Sequence, residues 1–258
     1  MADTARMYTR TIYRLYNESA FYQIAVDNDR LDSLVACLDS AVVRFNVKRQ
    51  TIQRYVGMPD ERGYREGVGV GARFRTCVDM AQTTDALIVS DRDNWCLRLV
   101  NRTSVTTSTL LGRCEEQRLS TLGSEDENAN NVRLTSAGAL ALTANKLYFV
   151  DGMDLRLLNL DTGLVRNLGT APQSIQGLTL LDGNLLATVN HGLMNISISD
   201  EHRVDGDFLV GGDFPGDDSG SLTMTAFNQP MGVTEVTERV YLVVDHINSH
   251  LKLIDFKR

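Results

Sequence analysis

"FNQPMGVTEVTERVYLVVDHINSHLKLIDF", Phe227–Phe256, reads as an aromatic, a Pro, a Gly-Val and a short alternating strand. A polar turn follows, then a hydrophobic strand ending in Asp245, then Asn248 and a third strand. Alternating apolar runs bounded by turn residues are strands. The same order occurs four times upstream: "FYQIAVDNDRLDSLVACLDSAVVRFNV" (Phe21–Val47), "ARFRTCVDMAQTTDALIVSDRDNWCLRLVN" (Ala72–Asn101), "SAGALALTANKLYFVDGMDLRLLNLDTG" (Ser136–Gly163) and "QGLTLLDGNLLATVNHGLMNISIS" (Gln176–Ser199). Each holds a strand A, a strand B ending in Asp39, Asp91, Asp151, Asn190 or Asp245, and a strand C.

The first four units add a strand D: "TIQRYVG", "TSTLLG", "LVRNLG" and "DFLVGG". The fifth has none, but "TIYRLYN" (Thr11–Asn17) resembles "TIQRYVG" (Thr51–Gly57). Repeated four-stranded units arranged radially make a β-propeller, and an N-terminal strand added to the last unit closes the ring and protects a sheet edge. The expectation is one all-β domain of five four-stranded blades. They span about 18–58, 72–114, 134–169, 174–212, and 227–258 completed by 5–17. Six blades of about 43 residues also fit the length, but only five A–B–C registers are found.

The length of 258 residues, 43% hydrophobic, supports a real core. The net charge of −7 speaks against nucleic acid as a partner. No apolar run is long enough to cross a membrane as a helix. The opening residues, "MADTARMYTRTIYRLYN", hold no apolar leader core. This leaves either an intracellular chain or one from which a leader has been removed.

The units resemble NHL repeats. "FNQPMGV" matches that family's aromatic–x–x–Pro–x–Gly–Val opening, and "DHINSHLKLID" its Asp–x–x–Asn–x–Arg–Ile turn and strand. "GYREGVGVGARF" and "SDRDNWCLRLV" follow the same plan, while units one, three and four keep only the strands. The resemblance implies an architecture and no reaction. NHL propellers include protein-interaction modules and RNA binders, and related propellers include metal-dependent lyases and hydrolases.

Asp91 with Asn94, and Asp245 with Asn248, could be metal ligands. Their recurrence points instead to side chains that tie loop backbone N–H groups. His246 and His250 have zinc-like spacing only on a helix, which is not expected here; His191 and His202 are isolated. "GVGVG" (Gly67–Gly71) lacks the Lys of a phosphate loop and reads as a flexible connection. Among the starts of strands A, Asp79 and Glu235 are the acidic residues; they could hold a structural cation but make no catalytic site. No cofactor and no enzymatic activity are expected.

Cys96 and Cys114 flank a C–D hairpin nearly in register. Cys37 and Cys77 lie on the same face in adjacent blades. The expectation is two disulfides, Cys96–Cys114 and Cys37–Cys77. With the sequons at Asn17, Asn101 and Asn195 they favour an extracellular or secretory setting over the cytoplasm. The long D–A loops share one face and supply Asp60, Glu61, Glu66, Glu115, Glu116, Glu125, Asp126, Glu127, Asp213, Asp217 and Asp218. The functional expectation is a monomeric adhesion or scaffold module that binds a basic protein partner through this acidic face.

Overall fold

The computed structural model describes residues 21–256 other than Asp29, Leu31, 116–126, Asn130, 199–202 and Thr223. Blade 1 is formed by β1 (Phe21–Val26), β2 (Ser33–Leu38), β3 (Ala41–Asn46) and β4 (Thr51–Gly57). A two-residue strand, β5 (Gly67–Val68), precedes blade 2: β6 (Cys77–Gln82), β7 (Ala86–Asp91), β8 (Cys96–Asn101) and β9 (Thr106–Leu111). Another, β10 (Glu127–Asn128), precedes blade 3: β11 (Ala137–Thr143), β12 (Lys146–Asp151), β13 (Asp154–Asn159) and β14 (Leu164–Thr170). Blade 4 contains β15 (Gly177–Leu181), β16 (Asn184–Val189), β17 (Gly192–Ile198) and β18 (Val204–Gly211). Blade 5 contains β19 (Pro230–Thr237), β20 (Val240–Asp245) and β21 (His250–Asp255).

Every blade is an antiparallel meander. The first strands sit innermost: β1 packs on β6, β6 on β11, β11 on β15 and β15 on β19. Gly232 of β19 then approaches Gln23 of β1, so blade 5 returns to blade 1. The chain is a five-bladed β-propeller, and the six-blade alternative is set aside. Blade 5 shows three strands among the described residues. The segment expected to be its fourth, 11–17, lies outside them.

Period-two alternation gives each blade two apolar faces, one toward each neighbour. Val35, Val42 and Val56 of blade 1 meet Phe74 and Leu87 of blade 2. Leu97 and Leu111 meet Leu140 and Phe149, and Leu155 and Leu168 meet Leu185 and Met194. Leu193 and Val210 meet Tyr241 and Ile254. The short turns gather on one side of the disc, and the B–C turns and D–A loops on the other.

Candidate functional site

The loop side is built around a repeated latch. In blade 2 the buried Asp91 ends β7. Its Oδ1 accepts the backbone N–H groups of Arg75 (2.9 Å) and Thr76 (3.3 Å), in the segment leading into the same blade. Its Oδ2 accepts Asn94 Nδ2 at 2.8 Å and Arg98 Nη1 at 3.3 Å. Blade 5 repeats this. Asp245 Oδ1 accepts the N–H of Asn228 at 2.7 Å, and Oδ2 accepts Asn248 Nδ2 at 2.8 Å and Lys252 Nζ at 2.9 Å. The cations lie over matching rings, Arg98 on Phe74 at 5.4 Å and Lys252 on Phe227 at 5.1 Å. Blade 3 has a shorter turn and no Asn, but Asp151 still accepts the N–H groups of Thr135 and Ser136 and pairs with Arg156 at 3.2 Å.

These side chains therefore bind backbone, as the turn chemistry implied. Two positions in the expected series do not belong to it. Asp39 and Asn190 fall one residue beyond their strands, where two-residue turns join β2 to β3 and β16 to β17. The residues facing strand C in the way Asp91 does are Leu38 and Val189. A two-residue turn has no room for the Asp–x–x–Asn arc. Asp39 and Asn190 contribute backbone oxygens instead, to the N–H groups of Cys77 and Gln229.

The latches also seat the long loops. Asn94 Nδ2 donates to the carbonyl of Gly63 at 2.8 Å, and Asn248 Nδ2 to that of Gly216 at 2.7 Å. "GVGVG" is not a flexible connection. Gly67–Val68 pairs with β9 and runs into a 3-10 turn over Gly69–Gly71, with Gly69 at φ 51°, a conformation open to glycine. β10 covers the outer edge of β14 in the same way. Long D–A loops thus protect sheet edges that would otherwise stand open.

The acidic residues divide accordingly. Glu61 pairs with Arg73, Glu115 with Arg75 at 4.0 Å, and Asp217 with His250 at 2.9 Å and Lys252 at 3.2 Å. Glu66 accepts the N–H of Thr109 at 2.8 Å, which with burial opposing it holds its carboxyl below the usual range. His250 Nδ1 and Lys252 Nζ do the same for Asp217. Asp60, Asp213 and Asp218 are exposed on the same side. Glu116, Glu125 and Asp126 lie outside the described residues, and Glu127 is known by its backbone in β10.

Both expected disulfides form, Cys96–Cys114 by hairpin register and Cys37–Cys77 between adjacent blades. Cys37–Cys77 joins blades 1 and 2 (Cα–Cα 5.3 Å), and Cys96–Cys114 closes the outer hairpin of blade 2 (5.2 Å). Asn101 ends β8, with Oδ1 accepting the N–H groups of Thr103 and Ser104 in the C–D turn, while Asn195 is half-buried within the sheet of blade 4. Asn17 and His202 lie outside the described residues. His246 is exposed, and His191 half-buried with no partner at Nδ1 among the described residues. No three His, Cys, Asp or Glu of the described residues gather as metal ligands.

Asp79 and Glu235 are not brought together. Glu235 stands exposed near the far end of β19, where it accepts the N–H of Arg239 at 3.0 Å. Asp79 is buried in the wall of an axial cavity. Its Oδ1 accepts the N–H of Met80 at 2.7 Å, its Oδ2 that of Leu140 at 2.8 Å, and the Gln23 side chain bonds it as well. Burial pushes it up to about 7 against these hydrogen bonds. Burial likewise raises Asp91 to about 6, with Asn94 and the backbone donors opposing. The sequence placed Asp79 at the start of a strand A but gave no sign that three blades would share its carboxylate.

Neither a family model nor a curated protein matches the chain. Solved structures do. An auxiliary nutrient binding protein from Bacteroides ovatus superposes with a TM-score of 0.65 at 12% identity, over 92% of this chain and 55% of that one. The extracellular domain of a one-component system from Bacteroides thetaiotaomicron gives 0.55 at 13%, over 96% and 35%. A chain of the nidogen/laminin complex gives 0.56 at 11%, over 87% and 72%. The chain spans about half the length of the nutrient binding protein. At such identities the likeness concerns the fold, a β-propeller. Among the described residues no helix is long and apolar enough to cross a membrane.

Proposed function

We propose that the chain is an NHL-type propeller acting as a protein-interaction module, with the loop side as its docking face and a basic surface as its partner. The observation that carries this is the seating of the two longest described D–A loops by Asn94 and Asn248, which fixes irregular backbone on a rigid ring. Preorganised loops lose little entropy on binding. Their exposed Asp60, Asp213 and Asp218 attract a cationic surface. The NHL reading is supported by unit two and unit five, because the Asp and Asn of the quoted motif are the latch residues. Among the described residues both cysteine pairs are oxidised and no cysteine is free, which supports an extracellular or secretory setting with Asn101 as the best-placed sequon. An adhesion or scaffold role fits such a face without chemistry of its own.

The test is binding of a labelled Lys/Arg-rich peptide to the whole oxidised chain. Joint substitution Asp60→Lys, Asp213→Lys and Asp218→Lys is expected to weaken binding, as is raising the salt from about 0.05 to about 0.3 M, with the melting temperature unchanged. Asp217 is left in place because it holds Lys252. Affinity indifferent to both changes overturns the reading.

A further inference from the structure

The inner strands carry an irregularity that the latches do not require. The register slips between Phe21 and Gln23 in β1, Cys77 and Asp79 in β6, Ala137 and Leu140 in β11, and Pro230 and Val233 in β19. Four of the five inner strands are thus bulged at the same level. The residues released, Tyr22, Val78, Gly138, Ala139, Met231 and Gly232, all line one axial cavity of about 170 Å3. Bulges re-aim side chains and gather next to binding sites. The cavity reaches the loop side, since Arg92, Ser136, Gly152 and Ser174 also line it.

In its wall lies Asp79, a carboxylate held by N–H donors that carry no charge. No described cation pairs with it, and a buried carboxylate is costly without a counter-charge. The cation of the rim, Arg92, is already set against Asp93 at 3.5 Å and lies over the Tyr22 ring at 5.9 Å. A divalent ion would need about six oxygen ligands, whereas each Asp79 oxygen already accepts an N–H and, among the described residues, no second carboxylate lines the cavity. A group that brings its own donors and one positive charge suits the site better.

We propose that the axial cavity binds an alkylammonium or guanidinium group seated against Asp79, supplied by a small free amine or by a side chain of a partner on the loop side. The second source rests on the docking reading above; the first does not.

Isothermal titration of the whole oxidised chain with agmatine and with the peptide acetyl-Gly-Lys-Gly-amide tests it, with n-butanol as the uncharged control. The expected result is that at least one cation binds, that butanol does not, and that Asp79→Asn abolishes binding. In the unaltered chain the affinity should rise about tenfold from pH 6 to pH 8, following ionisation of a group at about 7. The surroundings bring few other charges to confuse this. β1 offers Tyr22 and Gln23, β11 and β15 no charged residue, and β19 only Glu235 at its far end. The turn after β7 offers Arg92 and Asp93, and the end of β7 offers Asp91, raised to about 6 and closed off by its latch. Binding of the peptide without agmatine, or the reverse, identifies the source. Should Asp79→Asn fail to fold, the pH dependence of the unaltered chain decides alone. No binding by either cation, equal binding of butanol, or an affinity flat in pH overturns the proposal. The docking face is judged separately, by charge reversal at Asp60, Asp213 and Asp218.

Discussion

The seam between blades 1 and 2 and the seam between blades 5 and 1 follow the same plan with different closure. Between blades 1 and 2 the apolar faces are buried, Cys37–Cys77 crosses the gap, and Asp27 binds Arg44 at 2.5 Å and, across it, Arg102 at 3.0 Å. On the other side of blade 1, Ala36, Leu38 and Val43 form a small buried cluster. Facing that side, blade 5 exposes Val244, Leu251 and Leu253. Leu251 is the sharpest sign. Its counterparts Val42, Leu97, Leu155 and Leu193 are each covered by a strand D and are 0% exposed, whereas Leu251 is 66% exposed beside a cleft of about 590 Å3. The comparison teaches that the latch orders a blade's loop side, while its outer edge and next face need a fourth strand. The segment expected from the sequence for that place, 11–17, lies outside the described residues.

The largest way to break the symmetry of the latches is at Asp91. Asp91→Ala removes the buried carboxylate that pairs with the buried Arg98, and a loss of about 3–5 kcal/mol is expected. Asp245→Ala should cost less, because Lys252 keeps Asp217 at 3.2 Å. Urea unfolding of the two variants checks the order, and equal losses would mean that the second carboxylate contributes nothing. Next comes the covalent link across the tighter seam. Replacing Cys37 and Cys77 by Ala removes a 40-residue closure, about 4 kcal/mol by loop entropy, against about 3 kcal/mol for the 18-residue Cys96–Cys114 closure. Calorimetry of both double variants should show the larger fall for the first.

The third effect is titration of Asp79, which joins β1, β6 and β11. Its folded pKa, about 7, lies above the unfolded value near 3.8, so folding takes up a proton between these limits. The stabilisation is complete below about pH 4 and gone above about pH 7. Lowering the pH from 8 to 5 is expected to raise stability by about 2–3 kcal/mol. Asp91 acts in the same direction. Asp79→Asn should flatten the dependence in urea titrations at the two pH values.

Much of this architecture was legible because its devices are local. The Asp and Asn of units two and five recur at fixed offsets, and a C–D hairpin brings Cys96 to Cys114 by register alone. Blades 1 and 4 misled at Asp39 and Asn190, since a turn shortened to two residues leaves an Asp or Asn in place while removing the arc it would anchor. The axial cavity was not legible at all. A bulge in β11 has no composition of its own, and Asp79 accepts the N–H of Leu140 at the point where β11 slips against β12. The edge strand at Gly67–Val68 was hidden for a related reason, its glycines being as suited to flexible backbone as to close pairing.

The seam between blades 5 and 1 gives the most direct test of the whole account. Removing residues 1–17 and following unfolding by circular dichroism and by hydrogen exchange of the β21 amides tests whether this segment protects the edge at Leu251. The expected result is a lower melting temperature, loss of a single cooperative transition, fast exchange along His250–Asp255 and self-association through the open edge. A shortened chain that melts as the full one does, with β21 amides exchanging unchanged, would contradict the closure of the ring by its own N-terminal strand.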